Sequence, residues 1–411
     1  MFKKLFTILL LCILSANLTA CGGNETPQPT EPEPVIETVI VEQVPEPPVE
    51  AEPESLLPGK IAFVTSTIDG YEEDFRNASL AIHKLGREYT IHRTWPVMFT
   101  QERELMIEIL QEIADDPEVR VLIINPAVTN TNAAVDAFRE RRDDVFIVYI
   151  SPFYNTAPNA NLLLSTNRPK FGYHFVNQAI AMGAETIVHY SFPRHMEVPH
   201  LAARRDRIQA AAEAAGIPFH DLPTPDPAFE GGMAVSQLFV SQDVPRRVAE
   251  FGENTAFFST NCGQQIPLLT QILAYGAIYV MPCCPSPFHV FPTALGLAAC
   301  QSEARDAFNP QEMIDHIREI VEAAGMTGRV STFALSDSWL FTFAAVEYSI
   351  RWMRGEVSKD EIDLEILSQI MADVIAEQTG VEGLGVQLAR HEFEGEVLSN
   401  SILVFQDYLT F

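Results

Sequence analysis

The sequence predicts an α/β fold of two Rossmann-like, doubly wound lobes joined by a hinge. Three observations carry that expectation. Short apolar runs alternate with amphipathic stretches along most of the chain beyond residue 59. The runs are continuously apolar instead of alternating, the pattern of parallel strands covered on both faces. The alternation comes in two successive sets, and residues 59–411 exceed one ordinary domain, so two lobes suit it better than one sheet.

Taken in order, the chain opens with Lys3 and Lys4, an apolar run from Leu5 to Leu14, and small or polar residues ending in "LTAC". That is a secretory signal peptide over residues 1–20, too short and wrongly flanked for a spanning helix. Leu18, Thr19, Ala20 and Cys21 match the bacterial lipobox, in which the thiol is acylated and becomes the mature N-terminus. Acyl chains there would hold the protein to a membrane, since each buried methylene contributes about 0.8 kcal/mol. Residues 22–58 hold nine glutamates and nine prolines with no Lys or Arg, a composition that cannot bury enough apolar surface to fold. With Cys21 they form a tether over 21–58 that, at roughly 3 Å per residue, reaches up to about 100 Å.

The first lobe is expected over 59–155. "KIAFVTS" (60–66) leads into a helix near 71–86, "YTIHRTW" into 101–115, "VRVLIINP" into 131–142, and "VFIVYISP" closes the set. The second lobe, 156–300, begins with "NLLLST" and a helix at 171–182. It continues through "TIVHYSFP" and a helix at 199–215, "IPFHDLP" and a helix near 231–250, "NTAFFSTN" and a helix at 264–275, and ends at "AIYVMPCCP". Residues 301–411 supply helices at 311–325, 338–354 and 360–378, the strand "RVSTFALS" and two terminal strand-like runs. Such a tail suits segments that cross back between lobes and complete both.

The formal charge is -28, from 55 acidic and 27 basic side chains. Removing the nine acids of the linker and the two lysines of the signal leaves 46 against 25, or -21. A surface of that sign repels nucleic acid and anionic headgroups, so no nucleic-acid partner is expected.

A lipobox, an acidic tether, and then "KIAFVTSTIDGYEEDFRNASLAIHKLG" and "VRVLIINPAVTNTNAAVDAFRERRDDVFIVYISP" resemble the opening of a type I periplasmic solute-binding protein. More narrowly, the chain resembles a group of bacterial lipoproteins of unknown function with that fold. The resemblance is architectural, covers residues 59–411, and implies ligand held between two lobes. Repressors of the same fold carry an N-terminal helix-turn-helix, where this chain has an export signal.

In open α/β sheets ligands bind beyond the carboxyl ends of the strands. That rule selects Ser66, Thr67, Asp69 and Tyr71, then Asn125, Ala127 and Thr129, then Ser151 and Phe153 in the first lobe. In the second it selects Ser191, Arg194, His195 and Asn261, and from the tail Asp337. Hydroxyls, amides and aromatic faces suit a small polar ligand. A guanidinium at Arg194 can grip a carboxylate or phosphate with two hydrogen bonds. Tyr71, Phe153, Tyr154 and Phe192 offer faces for a ring. The competing reading is that Ser, Thr, Asp and Asn cap the helices that follow, and for Asp337 the cap is favoured. Arg204, Arg205 and Arg207 fall on a helix, where pairing with neighbouring acids is the simpler reading.

Cys262, Cys283, Cys284 and Cys300 remain beside Cys21 in an exported protein, where thiols tend to pair. Cys283 with Cys284 is disfavoured, since adjacent trans Cα atoms lie about 3.8 Å apart and disulfides prefer roughly 4.4–6.8 Å. Cys262 and the 283–284 pair each follow a strand, so Cys262 with Cys283 or Cys284 is the preferred disulfide. The alternative is that all stay reduced and pack as small apolar groups. A metal on Cys262, Cys283, Cys284 and His289 is the weaker reading: the spacing matches no CxxC pair, and adjacent thiolates chelate one ion awkwardly. No cofactor is expected. The functional expectation is a membrane-anchored, extracytoplasmic solute-binding protein that serves a permease with its ATPase, with no chemistry required. The alternatives are a sensor for a membrane receptor, or a surface enzyme using Cys262 or a metal at the cysteine cluster.

Overall fold

Strand β1 (Lys60–Thr65) is apolar along its length, and its side chains divide between two cores. Ile61 and Phe63 face one hydrophobic cluster, Ala62 and Val64 another, the period-two alternation of a strand covered on both faces. The structure, a computed structural model, describes residues 57–69, 71–153, 156–228, 231–297 and 309–411. Cys21, the signal peptide, the tether through residue 56, Tyr154 and Cys300 lie outside them. The described residues belong to one compact unit, Ser55–Phe411.

The first lobe continues with α1 (Glu72–Leu85), β2 (Thr90–Thr94), α2 (Arg103–Ala114), β3 (Val119–Asn125), α3 (Thr131–Arg139), β4 (Phe146–Ile150) and β5 (Leu162–Thr166). The second contains α4 (Phe171–Ala181), β6 (Thr186–Ser191), the short α5 (Pro193–Met196), α6 (Pro199–Ala215), β7 (Phe219–Pro223), α7 (Gly232–Phe251), β8 (Thr255–Ser259), α8 (Gln265–Tyr275) and β9 (Ile278–Tyr279). The tail adds α9 (Phe291–Ala294), α10 (Pro310–Ala323), β10 (Ser331–Phe333), α11 (Asp337–Met353), α12 (Leu364–Thr379), β11 (Val386–Phe393), β12 (Glu396–Gln406) and β13 (Tyr408–Thr410).

The strands form a seven-stranded sheet in the order β11-β12-β5-β4-β3-β1-β2 and a four-stranded sheet in the order β7-β6-β8-β9. Every pairing in both sheets is parallel except the terminal β11-β12 hairpin. In the first lobe α2 and α3 cover one face through Met106, Leu110 and Phe138, while α1 and α11 cover the other. In the second lobe α4 and α6 cover one face through Phe175 and Ile208, and α7 and α8 the other through Val240 and Leu268. Helix α11 is apolar around most of its circumference because it is enclosed: Leu340, Phe341, Ala344, Ala345 and Tyr348 are all fully buried.

Three boundaries differ from the sequence reading. "NLLLST" opens the second set in rhythm, yet β5 pairs with β4 and belongs to the first sheet. The rhythm of apolar runs does not say which sheet a strand joins. The strand at "AIYVMPCCP" is only Ile278–Tyr279, since Pro282 and Pro285 lack the amide donors that continued pairing needs. Leu57 is buried in the core, so the folded part begins before residue 59.

The tail completes both lobes. β12 lies beside β5 in the first sheet, and β10 pairs with β13 antiparallel. Val330, at the start of β10, bridges Tyr279, and Phe333, Phe405 and Tyr408 pack into the second lobe's core. The chain therefore passes between lobes at three places: after β5, between β10 and α11, and between β12 and β13.

Candidate functional site

In the first lobe the predicted positions divide by what they touch. Ser66 is buried, and its hydroxyl has no hydrogen-bond partner among the described residues. Asn125 is buried too; its Nδ2 donates to Ser338 Oγ at 3.1 Å and Thr342 Oγ1 at 3.0 Å, while its Oδ1 is unpartnered among the described residues. Ala127 is a core residue whose carbonyl accepts from Phe153 N–H at 2.9 Å. Thr67 is half-buried, and Asp69, Tyr71, Thr129, Ser151 and Phe153 are exposed.

In the second lobe most of the predicted side chains are engaged within the protein. The carboxylate that Arg194 grips is Asp226: Nε and Nη2 each donate at 2.8 Å. His195 Nδ1 lies 2.9 Å from Thr260 Oγ1, and its ring packs 4.0 Å from that of Phe192, which is buried and not a face offered to ligand. Ser191 is buried, its hydroxyl accepting from Thr260 at 3.3 Å. Asn261 caps the turn that follows β8, accepting from Gly263 N–H at 2.9 Å. Ser336, not Asp337, caps α11. Asp337 accepts from Thr166 and, at 2.9 Å, from Gln406, both at lobe crossings.

What the fold does bring together lies mostly on the cysteine-bearing loops. Cys262 follows β8, and Cys283 and Cys284 follow the neighbouring β9. Their sulfurs form a triangle: 3.0 Å from Cys262 to Cys283, 3.7 Å from Cys262 to Cys284, and 3.9 Å from Cys283 to Cys284. All three are free thiols. A ring nitrogen of His289 joins them, the four ligand atoms lying within 4.8 Å of one another.

Buried glutamines brace this end of β8. Gln264 accepts from Ser259 Oγ at 2.6 Å and donates to Thr224 at 2.8 Å and Ser236 at 2.7 Å. Gln265 accepts from the Tyr279 hydroxyl at 2.8 Å and donates to the Ser259 carbonyl at 2.9 Å. Each amide is satisfied from several elements, so the turn that carries Cys262 is held to β9, α7 and the loop after β7.

Arg204 projects from α6 between the rings of Phe171 and Phe258, its guanidinium carbon 5.0 and 4.8 Å from their centroids. Burial lowers its pKa, and the nearby thiols oppose that shift. S–H donation from Cys283, and then from Cys284, pulls the Cys262 thiol well below its ordinary range, with Arg204 assisting. The contact with Cys262 correspondingly pushes the Cys283 thiol up.

An acidic wall faces this group from the first turn of α1. Crowding around Glu73 raises its carboxyl; a hydrogen bond with Ser336 opposes the shift, Asp74 adds to it, and His289 is close enough to act on it. Burial raises Asp74 as well, against a hydrogen bond from Ser338. Burial also raises Asp337, whose surroundings include Arg168 and Cys284. Exposed Glu73 and half-buried Asp74, Arg204 and Asp337 therefore bring groups of both signs near one another.

Residues 60–331 match the family described as "Protein of unknown function (DUF3798)". The chain belongs to the DUF3798 family. The DUF3798 chain is 27% identical over 208 residues to an "Uncharacterized protein" of Treponema pallidum (strain Nichols), covering 49% of itself and 93% of that relative. A second Treponema pallidum protein of the same description is 30% identical over 141 residues, 34% of this chain and 64% of the relative. Among solved structures, a candidate transcriptional regulator from Clostridium difficile 630 superposes with a TM-score of 0.76 at 19% identity, over 87% of this chain and all (100%) of the other. At that identity the likeness shows the fold alone: two α/β lobes built on parallel sheets. A sugar ABC transporter protein from Actinomyces odontolyticus ATCC 17982 matches at TM-score 0.45 and 11% identity, over 73% of this chain and 84% of the other.

Sequence reasoning did not choose Glu73, Asp74, Arg168, Arg204 or Ser338 as site residues of this DUF3798 protein. The sequence reading did not single out Glu73 or Asp74, and it placed Arg204 on a helix, where pairing with neighbouring acids is the simpler reading. The only available signal was proximity to strand ends: α1 starts soon after the loop that the strand-end rule selects.

Proposed function

We propose that this protein captures a small polar solute between its two lobes, outside the cytoplasm, held to a membrane through acylated Cys21, and passes it to a membrane permease with its ATPase. The observation that carries this reading is the convergence of Glu73 and Asp74 from one lobe, Arg204 and His289 from the other, and Asp337 from a crossing. Asp74, Arg204 and Asp337 are half-buried, and polar groups in that state are held ready for a ligand that replaces lost water. Contacts to both walls favour the closed arrangement, and that differential is what makes closure respond to ligand. Buried Ser66 Oγ and Asn125 Oδ1 supply unpartnered polar atoms at the strand ends of the first lobe. Among the described residues no helix is long and apolar enough to cross a membrane.

Native mass spectrometry of the full chain, followed by a thermal-shift screen across sugars, nucleosides, amino acids and organic acids, tests the capture step. A true ligand at a hundred times its Kd stabilises by about 2.7 kcal/mol. A panel without a single hit would remove the reading. Metabolic labelling with palmitate, lost on Cys21→Ala, tests the anchor.

A further inference from the structure

The cluster after β8 and β9 is more than a pair of thiols suited to one disulfide. A disulfide would join two of the sulfurs and leave the third thiol and His289 without a role. Tetrahedral coordination by thiolates at about 2.3 Å requires sulfurs about 3.8 Å apart. Two edges of the sulfur triangle, 3.7 and 3.9 Å, meet that spacing as they stand. The third, 3.0 Å, opens to it by a sub-ångström adjustment of a side chain. The His289 nitrogen lies within the same 4.8 Å envelope and supplies a fourth donor.

We propose that Cys262, Cys283, Cys284 and His289 bind one thiophilic metal ion of the zinc class at the cleft end of the second lobe. The donor set selects the class: three thiolates and an imidazole suit a soft or borderline ion in tetrahedral geometry, whereas hard cations take oxygen ligands. The sequence objection, that adjacent cysteines chelate one ion awkwardly, is answered by the backbone. Pro282, Pro285 and Pro287 flank the pair, and both sulfurs face Cys262. His289 sits in a turn closed by Ser286, which accepts from Phe288 N–H at 3.1 Å through its hydroxyl and from His289 N–H at 3.4 Å through its carbonyl. Gln264 and Gln265 hold the Cys262 turn from behind, so the ligands are fixed before an ion arrives.

Charge and access agree with this assignment. Three thiolates around a divalent ion leave one net negative charge, and Arg204, held between two aromatic rings beside the thiols, offsets it. Glu73 is near enough to His289 to act on it electrostatically, and its carboxylate would add to the negative surroundings of a bound cation. Cys262, Cys284 and His289 are exposed, which leaves the ion a path in and out. The proposal goes beyond solute capture and does not depend on it.

The test uses the full-length chain in detergent, reduced, stripped with chelator and kept anaerobic. Titration with Co2+ is expected to produce thiolate-to-cobalt charge-transfer absorption that saturates at one equivalent and is displaced by Zn2+. Cys283→Ser abolishes the band. Glu73→Gln keeps it and weakens affinity. His289→Ala, at an exposed position, retains the wild-type thermal transition and lowers affinity further, which separates loss of a ligand from misfolding. Folded, reduced protein without the band in excess Co2+ would overturn the site. So would thiols that react with an alkylating reagent equally fast with and without Zn2+, or an anaerobic preparation already lacking two thiols to a disulfide. Running the solute panel and the cobalt titration on one wild-type preparation keeps the readings apart: solute binding with silent cobalt sinks the metal site alone, and cobalt binding without any solute sinks capture alone.

Discussion

Asp337 Oδ1 accepts a hydrogen bond from Gln406 Nε2 at 2.9 Å, and the same amide donates to the Leu335 carbonyl at 3.1 Å. Thr166 donates to the other oxygen of that carboxylate. One side chain thus joins the end of β5, the end of β12 and the start of α11, the three places where the chain passes between lobes. Removing it with Asp337→Ala leaves Thr166 and Gln406 without their acceptor and is expected to cost about 1–3 kcal/mol in urea denaturation. Asp337→Asn, which keeps the shape and one acceptor, should cost less. Equal losses for the two variants would show that the carboxylate does not tie the crossings.

Gly172 marks the closest approach of α4 to α6. A Cβ there would meet Arg207 Cβ at 2.5 Å and backbone atoms of residues 207 and 208 at 2.7 and 2.8 Å. Backbone cannot rotate out of the way, so the helices must separate. Gly172→Ala is expected to destabilise by about 1–3 kcal/mol despite its better helix propensity. A stabilised variant in thermal or urea melts would contradict the packing.

His92 carries an acid sensitivity. It packs 5.0 Å from the Phe75 ring with Nε2 3.0 Å from Thr65 Oγ1, and burial, then Arg93, lowers its pKa to about 4. The unfolded chain takes up this proton near pH 6.5, the folded chain only near 4. Between those values the unfolded state binds more protons, so stability is retained above pH 6.5 and falls as pH drops towards 4. His92→Gln should show a shallower loss of stability over that window, read from urea midpoints at a series of pH values. A slope identical to wild type would refute the assignment.

Arg194 and Arg204 should behave differently although both stood out in the same basic stretch. Arg194 is 45% exposed and already bidentate on Asp226, so Arg194→Ala is expected to leave solute affinity unchanged with only a small fall in Tm. Arg204 faces the thiols from between Phe171 and Phe258, so Arg204→Ala should weaken binding of the solute identified by thermal shift about tenfold or more. Isothermal titration of both variants decides it; a larger loss for Arg194 would move the site.

The sequence by itself determined the elements of this protein. The helix read at 199–215 is Pro199–Ala215, and the one read near 231–250 is Gly232–Phe251, because strands buried on both faces and helices with one apolar face leave patterns within a few residues of chain. Cys262 and the Cys283–Cys284 pair follow β8 and β9, as their place after apolar runs implied. Tertiary structure alone decided which sheet β5 joins, that β12 returns beside it, and which polar residues are already engaged. Asn125 is tied to Ser338 and Thr342, and Arg194 to Asp226, partners far away in sequence that no local pattern names. The approach of Cys262 to Cys283 and Cys284 was legible from their places after strands; the structure adds the geometry that brings all three thiols and His289 within 4.8 Å of one another. Composition and periodicity record what each segment prefers, whereas a site depends on which segments the packed core places side by side.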